Sequence, residues 1–371
     1  MNRITLRTLL VLLLTVGILI TTAACKREEP EETVRVTEAV ATTEPTTAPT
    51  ETEAPTTAPT ETQPQEERFL LTFVGDCTFG ASPANYHAMQ GFIKTVGEDY
   101  QYPFRNVIDY FANDDCSFIN LEGALCRYGY PAQKKHTFRG PMEYSAILTE
   151  NSVEAVTLAN NHTLDYGQTG YDDTLQVLQS ISVPYAERDS SVVFTLDSGL
   201  TIGLYGCVYY KLDVEDMVAE IEAMKAQNVD LIIVAPHWGA EGAYRATDTQ
   251  VEVGHAAIDA GAHIVWGSHP HVLQPIEAYN GGIIYYSLGN FSFGGNAYPG
   301  DYDTALLQQE VIRSADGTVT LGELTIVPCS VSSLPNRNNY QPTPYAADSQ
   351  EYARVISKLD GSFTGLNLKV K

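Results

Sequence analysis

Apolar patterning begins abruptly at Glu67, and that boundary decides how much of this 371-residue chain can fold. Upstream, aromatic residues are almost absent; downstream, Tyr, Phe, Val, Ile and Leu recur in short runs separated by turn residues. Residues 26–66 are a low-complexity mixture of Thr, Pro, Glu and Ala in which Pro-Thr-Thr-Ala-Pro-Thr-Glu-Thr occurs twice, from Pro45 and again from Pro55. Such a stretch buries no apolar surface to offset chain entropy, so it is expected to be an extended, solvated tether. In polyproline II form, about 40 residues at about 3.1 Å each reach on the order of 120 Å. The remaining roughly 300 residues suit one large α/β domain, although length alone also accommodates two.

Ahead of the tether, Arg3 and Arg7 form a basic start and residues 9–20 an uninterrupted apolar run. Thr21, Thr22, Ala23 and Ala24 then lead to Cys25. The run is short for a membrane span and closes on small residues, which predicts a signal peptide over residues 1–24. Thr22-Ala23-Ala24-Cys25 resembles a lipobox, so Cys25 is expected to become the lipidated first residue of the mature protein. Ordinary cleavage with an incidental Cys25 is the alternative. With lipidation, residues 25–66 tether a domain of residues 67–371 to the extracellular face of the cell membrane and carry it into the cell wall. Of the other cysteines (Cys77, Cys116, Cys126, Cys207 and Cys329), an odd set, at least one is unpaired, and none has metal-type spacing. They read best as small buried hydrophobes. A net charge of −24 excludes nucleic acid as a partner and a peripheral hold on anionic lipid, since both need basic patches.

Within the domain, apolar β-type runs stop at polar residues. Residues 69–74 end in Gly75-Asp76, 117–121 in Glu122-Gly123, and 153–158 shortly before Asn160-Asn161-His162. Residues 230–235 end in Pro236-His237-Trp238-Gly239, and 262–266 in Gly267-Ser268-His269-Pro270-His271. Helical periodicity covers 213–227 and 249–260, and 194–205 reads as a hairpin across Asp197-Ser198-Gly199. Strands alternating with helices indicate α/β layers, whose chemistry gathers at the carboxyl ends of strands. A lone His after a strand is usually a packing or capping residue; five such strand ends together point to a shared site. Imidazole, carboxylate and amide oxygen suit Mn²⁺, Zn²⁺ or Fe²⁺, one or two ions, with no thiolate cluster to favour softer metals. Two ions about 3.5–4 Å apart would activate water and clamp a phosphoryl or carbonyl oxygen.

Six motifs in fixed order make the pattern specific: Gly75-Asp76; Asn120-Leu121-Glu122; Asn160-Asn161-His162 with Asp165-Tyr166-Gly167; His237-Trp238-Gly239 with Glu241; the 267–271 turn; and Ser287-Leu288-Gly289-Asn290-Phe291. Over residues 69–327 this resembles the CapA family of poly-γ-glutamate capsule synthesis, itself similar to calcineurin-like metallophosphatases. The resemblance implies a layered α-β-β-α sandwich, two facing mixed sheets flanked by helices. It implies that Asp76, Glu122, Asn161, His237, His269 and His271 bind metal. His162 would be the general acid oriented by Asp165, and Asn120 and Asn290 would contact substrate. The implied partners are an anionic capsule polymer or its precursor and a capsule synthase complex. Two departures stand out: metallophosphatases open with Asp-x-His where this chain has Asp76-Cys77-Thr78, and the bridging acid is Glu122 rather than Asp.

Three functions therefore stand side by side: a metal-dependent capsule protein acting by hydrolysis or transfer, a general exported phosphoesterase, and a non-catalytic assembly protein. Lys134-Lys135-His136 with Arg127 and Arg139 is the one basic cluster visible for meeting a polyanion, or else a solvated loop. Trp238 and Glu241 shape the pocket or merely pack beside it.

Overall fold

The computed structural model describes residues 66–208 and 213–369. The segments read as signal peptide and as lipidated Cys25 with its tether lie, Glu66 apart, outside the described residues.

Two sheets face each other. The first runs, in spatial order, β16 (Thr343–Pro344), β15 (Val319–Ser330), β14 (Asp303–Arg313), β1 (Glu67–Thr78), β2 (Cys116–Leu121), β5 (Ala155–Thr157) and β6 (Tyr185–Ala186), with β13 (Asn290–Phe293) also pairing β1. The second runs β11 (Ile276–Tyr279), β12 (Gly282–Tyr285), β10 (Ile264–Trp266), β9 (Leu231–His237), β8 (Thr201–Val208) and β7 (Ser190–Thr195). A short ribbon pairs β3 (Ala124–Leu125) with β4 (Arg139–Gly140). The helices are α1 (Phe92–Val96), α2 (Ile108–Ala112), α3 (Ala146–Thr149), α4 (Gly167–Ser180), α5 (Val214–Ala226), α6 (Asp248–Ala260) and α7 (Gln350–Leu359). No helix among the described residues is long and apolar enough to cross a membrane.

The alternation of side chains along each strand builds three apolar layers. Leu71 and Phe73 of β1 meet Leu204, Ile233 and Trp266 of the opposite sheet in the middle layer. Val74, Ile119 and Val156 point the other way, onto α1 to α4 and the loops beside them. Ile232, Val234 and Val265 turn away from the first sheet onto Met217, Ile221 and Met224 of α5 and Val253 and Ala257 of α6. The central strands are therefore buried on both faces, which is why they read as continuous apolar runs. The α-β-β-α sandwich is as the family resemblance implied. Phe73 stacks on Phe118 with ring centroids 4.9 Å apart, and the Trp266 indole N–H crosses between sheets to donate to the Val74 carbonyl at 2.9 Å.

Both anticipated helices start at caps. Asp213 accepts from the Glu215 N–H at 2.9 Å, and Thr247 forms a capping box with Gln250. The 194–205 hairpin is β7–β8, registered Thr195 opposite Thr201. The long β14–β15 ribbon and α7, by contrast, were not anticipated. The described cysteines, Cys77, Cys116, Cys126, Cys207 and Cys329, are all free thiols in the core.

The topology also gathers the polar strand ends. β1, β2, β5 and β6 run parallel, as do β8, β9, β10 and β12, so their carboxyl ends share one edge of each sheet. A bulge in β1 between Phe73 and Asp76 re-aims the strand, so that Asp76 lies opposite Asn120. Gly75 makes this passage possible: a Cβ there would sit 1.9 Å from the Gly289 carbonyl oxygen, which accepts the Asp76 N–H at 2.8 Å.

Candidate metal centre

Asp76 and Glu122 are fully buried carboxylates at the ends of adjacent strands. Asp76 Oδ1 accepts from Asn120 Nδ2 at 2.9 Å, and Oδ2 lies 3.0 Å from His271 Nδ1. Asn120 in turn accepts from Asn160 Nδ2 at 3.0 Å, so both ends of its amide are used inside the protein. Asn120 orients Asp76 from behind and is absent from the cleft lining. Neither oxygen of Glu122 has a hydrogen-bond partner. The nearest imidazole nitrogens are His162 Nε2 at 3.7 Å and His271 Nε2 at 3.8 Å. Burial, and then the neighbouring Asp76, push the Glu122 carboxyl well above the usual carboxylate range.

Three histidines face these acids from the other sheet. His237 Nδ1 lies 2.8 Å from the Ser268 hydroxyl, while its Nε2 meets Asn161 Oδ1 at 3.1 Å and His269 Nδ1 at 3.0 Å. Burial, then the adjacent His269, hold His237 well below the usual histidine range; burial and His271 lower His269 to about 4. Both rings are thus neutral, the form that ligates metal. His271 differs. Burial opposes its protonation, but Glu122 and Asp76 outweigh it and raise it to about 10. His269 and His271 have φ of 97° and 57°. This strained left-handed backbone turns both rings to one side, which a regular strand would not do.

The donor atoms fall into two groups, each within 4.8 Å: Asp76, Glu122 and His237, and Glu241, His269 and His271. Unpartnered oxygens deep in the protein, neutral imidazoles and carboxylates on opposite sides form a set that a divalent cation would satisfy. The predicted ligands Asp76, Glu122, Asn161, His237, His269 and His271 are brought together. Glu241, read only as a pocket residue, joins them from the loop after β9. At the Asp-x-His position Thr78 donates instead to the Glu122 backbone carbonyl at 2.7 Å, and Cys77 points into the outer core.

Beside the carboxylates, His162 Nδ1 lies 2.7 Å from Asp165 Oδ2, which also accepts the Phe138 N–H at 2.5 Å. Lys134 contacts Asp165 Oδ1 and donates to the Asn161 carbonyl at 2.8 Å. With Nδ1 so engaged, Nε2 faces Glu122. Burial lowers His162, partly countered by Asp165. A cleft of about 1270 Å³ opens over the site, lined among others by Lys134, Lys135, His136, His162, His271 and Asn290. Asn290 Oδ1 lies 2.9 Å from His271 Nδ1. The sequence cluster of basic residues divides here: Lys134 serves the site, whereas Arg139 bonds the Arg127 carbonyl at 2.7 Å and lies over the Tyr86 and Tyr166 rings. Trp238 is a packing residue whose indole donates to the Tyr286 carbonyl at 2.9 Å. Sequence reasoning missed Ser268 and the part of Lys134 in holding Asp165; only the motifs around them were signals.

A layered α-β-β-α domain with histidines and carboxylates converging between its two sheets defines the class. The chain belongs to the family described as bacterial capsule synthesis protein PGA_cap, whose model matches residues 70–295. It is 30% identical to the PGA biosynthesis protein CapA of Bacillus subtilis, over 78% of this chain and 77% of that one. It is 26% identical to the capsule biosynthesis protein CapA of Bacillus anthracis, over 79% and 74%. Among solved structures, the NAD nucleotidase of Haemophilus influenzae is similar at 11% identity and a TM-score of 0.40, covering 81% of this chain and 63% of that one. The 5′-nucleotidase of Candida albicans is similar at 13% identity and a TM-score of 0.39, covering 71% and 51%.

Proposed function

We propose that this chain is an exported, lipid-anchored protein that acts in the synthesis, release or attachment of a poly-γ-glutamate capsule through a site for one or two divalent ions, Mn²⁺, Zn²⁺ or Fe²⁺. Family membership and the capsule and PGA biosynthesis roles in the relatives' names support the pathway. The observation that carries the chemistry is Glu122, fully buried with both oxygens unpartnered between His162 and His271. Asp76, Glu122, Asn161, His237, Glu241, His269 and His271 would hold the ions. A bound divalent ion would supply Lewis-acid polarisation of a scissile phosphoester or amide.

The protein's own groups do the rest. Asn120 fixes Asp76, and Ser268 holds the His237 ring through Nδ1. Asp165 holds His162 Nδ1 so that Nε2 can hand a proton to a leaving group at the cleft floor. Lys134 offsets the Asp165 charge and, with Lys135 and His136, lines the wall that an anionic polymer would meet. The lipid at Cys25 and the tether would keep the domain at the extracellular face of the membrane, within the wall and beside a synthase complex. Thr78 in place of an imidazole favours a second reading, a protein of reduced ion occupancy that assembles capsule without turnover.

Elemental mass spectrometry on the purified protein, beside His237→Ala and His269→Ala, tests the site. Stoichiometric metal in the wild type and its loss in both variants are expected. No metal above background after resupply of Mn²⁺ and Zn²⁺ would remove the catalytic reading and leave assembly. In a polyglutamate-producing strain lacking its own homologue, failure of His162→Ala to restore polymer would separate turnover from assembly.

A further inference from the structure

The loop that carries Glu241 is held from three sides. From beneath, buried Gln274 donates through Nε2 to the Ala243 carbonyl at 2.8 Å and the Arg245 carbonyl at 3.1 Å. From the site side, the Gly242 N–H donates to the Pro270 carbonyl at 2.8 Å, tying the loop to the turn of His269 and His271. From outside, the Leu368 N–H donates to the Gly242 carbonyl at 2.9 Å, and Asn367 Oδ1 accepts the Tyr244 N–H at 3.1 Å. These last two bonds come from the chain beyond α7, far outside residues 70–295 that match the family model.

That terminal segment is itself anchored. Lys358, with a side chain 2% exposed, reaches Asp303 Oδ2 at 2.8 Å and Asp301 Oδ2 at 2.5 Å. The Tyr244 hydroxyl donates to the same Asp301 oxygen at 2.8 Å. Phe363 packs edge-on to Tyr244 with centroids 4.9 Å apart, so the loop and the terminal segment share one anchor. Leu368 and Lys369 then emerge as lining of the cleft, with Glu241, His271 and Asn290.

We propose that residues 360–369 are a positioning strap: they fix the Glu241 loop against the His269–His271 turn, completing the outer ion-binding group, and form one wall of the cleft. Glu241 is exposed and its loop lacks a strand to hold it, so its placement within ligating reach of two imidazoles depends on the loop backbone. The strap supplies the outer restraints on that backbone, at the residue after Glu241 and at Tyr244. This inference rests on the metal-binding reading of the site.

The test is Mn²⁺ titration calorimetry on the whole protein. Leu368→Pro deletes the N–H that meets Gly242, Leu368→Ala keeps it, and Asn367→Ala removes the acceptor for Tyr244. Losing one such bond is expected to weaken the outer ion about two- to tenfold in Leu368→Pro and Asn367→Ala, leaving the inner ion unchanged and lowering the ion-free melting temperature by no more than about 3 °C. Leu368→Ala is expected to bind as wild type. In a Glu241→Gln background, Leu368→Pro should have no further effect, because the strap acts through Glu241. Wild-type affinity in both Leu368→Pro and Asn367→Ala, or an undiminished effect in the Glu241→Gln background, overturns the strap. A wild type that takes up no Mn²⁺ overturns instead the metal reading beneath it.

Discussion

Replacing Glu122 by Gln should make the ion-free protein more stable and the ion-loaded protein less so. The Glu122 carboxylate is fully buried, neither oxygen is hydrogen-bonded, and the nearest imidazole nitrogens at 3.7 and 3.8 Å are beyond hydrogen-bond reach. An unsatisfied buried polar group costs about 1–3 kcal/mol, more when charged. Glu122→Gln keeps the shape and replaces an acid that burial and Asp76 hold well above the usual carboxylate range with an amide that cannot ionise. With a domain of this size, the gain corresponds to a rise in melting temperature of about 2–5 °C in chelator. With Mn²⁺ at about one hundred times its Kd, the wild type gains about 2.7 kcal/mol by linkage, and the variant gains little. The two melting temperatures should therefore exchange order between chelator and Mn²⁺, read by scanning calorimetry. A Glu122→Gln protein that melts at or below the wild type in chelator would refute the reasoning, because it would mean that the protein already satisfies this carboxylate.

Two further outcomes follow from buried charge elsewhere. Lys358→Met takes the buried ammonium from Asp301 and leaves Asp303 with Arg354 alone, and should cost up to about 3 kcal/mol in urea unfolding, the low end for removing one partner of a buried pair. His263 Nδ1 accepts the Ile232 N–H at 3.0 Å, and burial lowers its pKa. A folded pKa below the unfolded value means that the unfolded chain binds the extra proton, so the contribution of His263 is present above about pH 6.5 and is lost as pH falls toward the folded value. The ion-free His263→Gln variant should lose less stability than the wild type between pH 7 and 5 in chemical denaturation; an unchanged slope would count against it.

The parts legible in the sequence were those where one physical constraint wrote a simple pattern. The runs at 69–74 and 230–235 are apolar at successive positions because each face of their sheet is covered. Their ends are polar because the parallel strands stop at a shared edge. The β14–β15 ribbon was not legible. Gln308 and Gln309 interrupt its apolar pattern, and the reason lies in distant partners: Gln309 accepts from the Tyr285 hydroxyl at 3.0 Å. Lys358 and Asp303 lie 55 residues apart, and only the folded chain brings them together in the interior. In the site, the residues of the six motifs converge. The sequence does not record that the Asn120 amide bridges Asp76 and Asn160, because that depends on the β1 bulge and on the register of β1 with β2. The pairing of Lys134 with Asp165 depends on a loop crossing that no periodicity records.

The candidate ligands are divided between the two sheets: Asp76 and Glu122 end strands of one, while His237, Glu241, His269 and His271 belong to the other. The inner group, Asp76, Glu122 and His237, needs both sheets, whereas Glu241, His269 and His271 all follow strands of the second. An ion held by the inner group would therefore be captured only after the sheets have docked, entering through the cleft. Once there it would act as a rivet across the sandwich, so that resistance to shearing one sheet past the other becomes a property of metal supply rather than of the core alone.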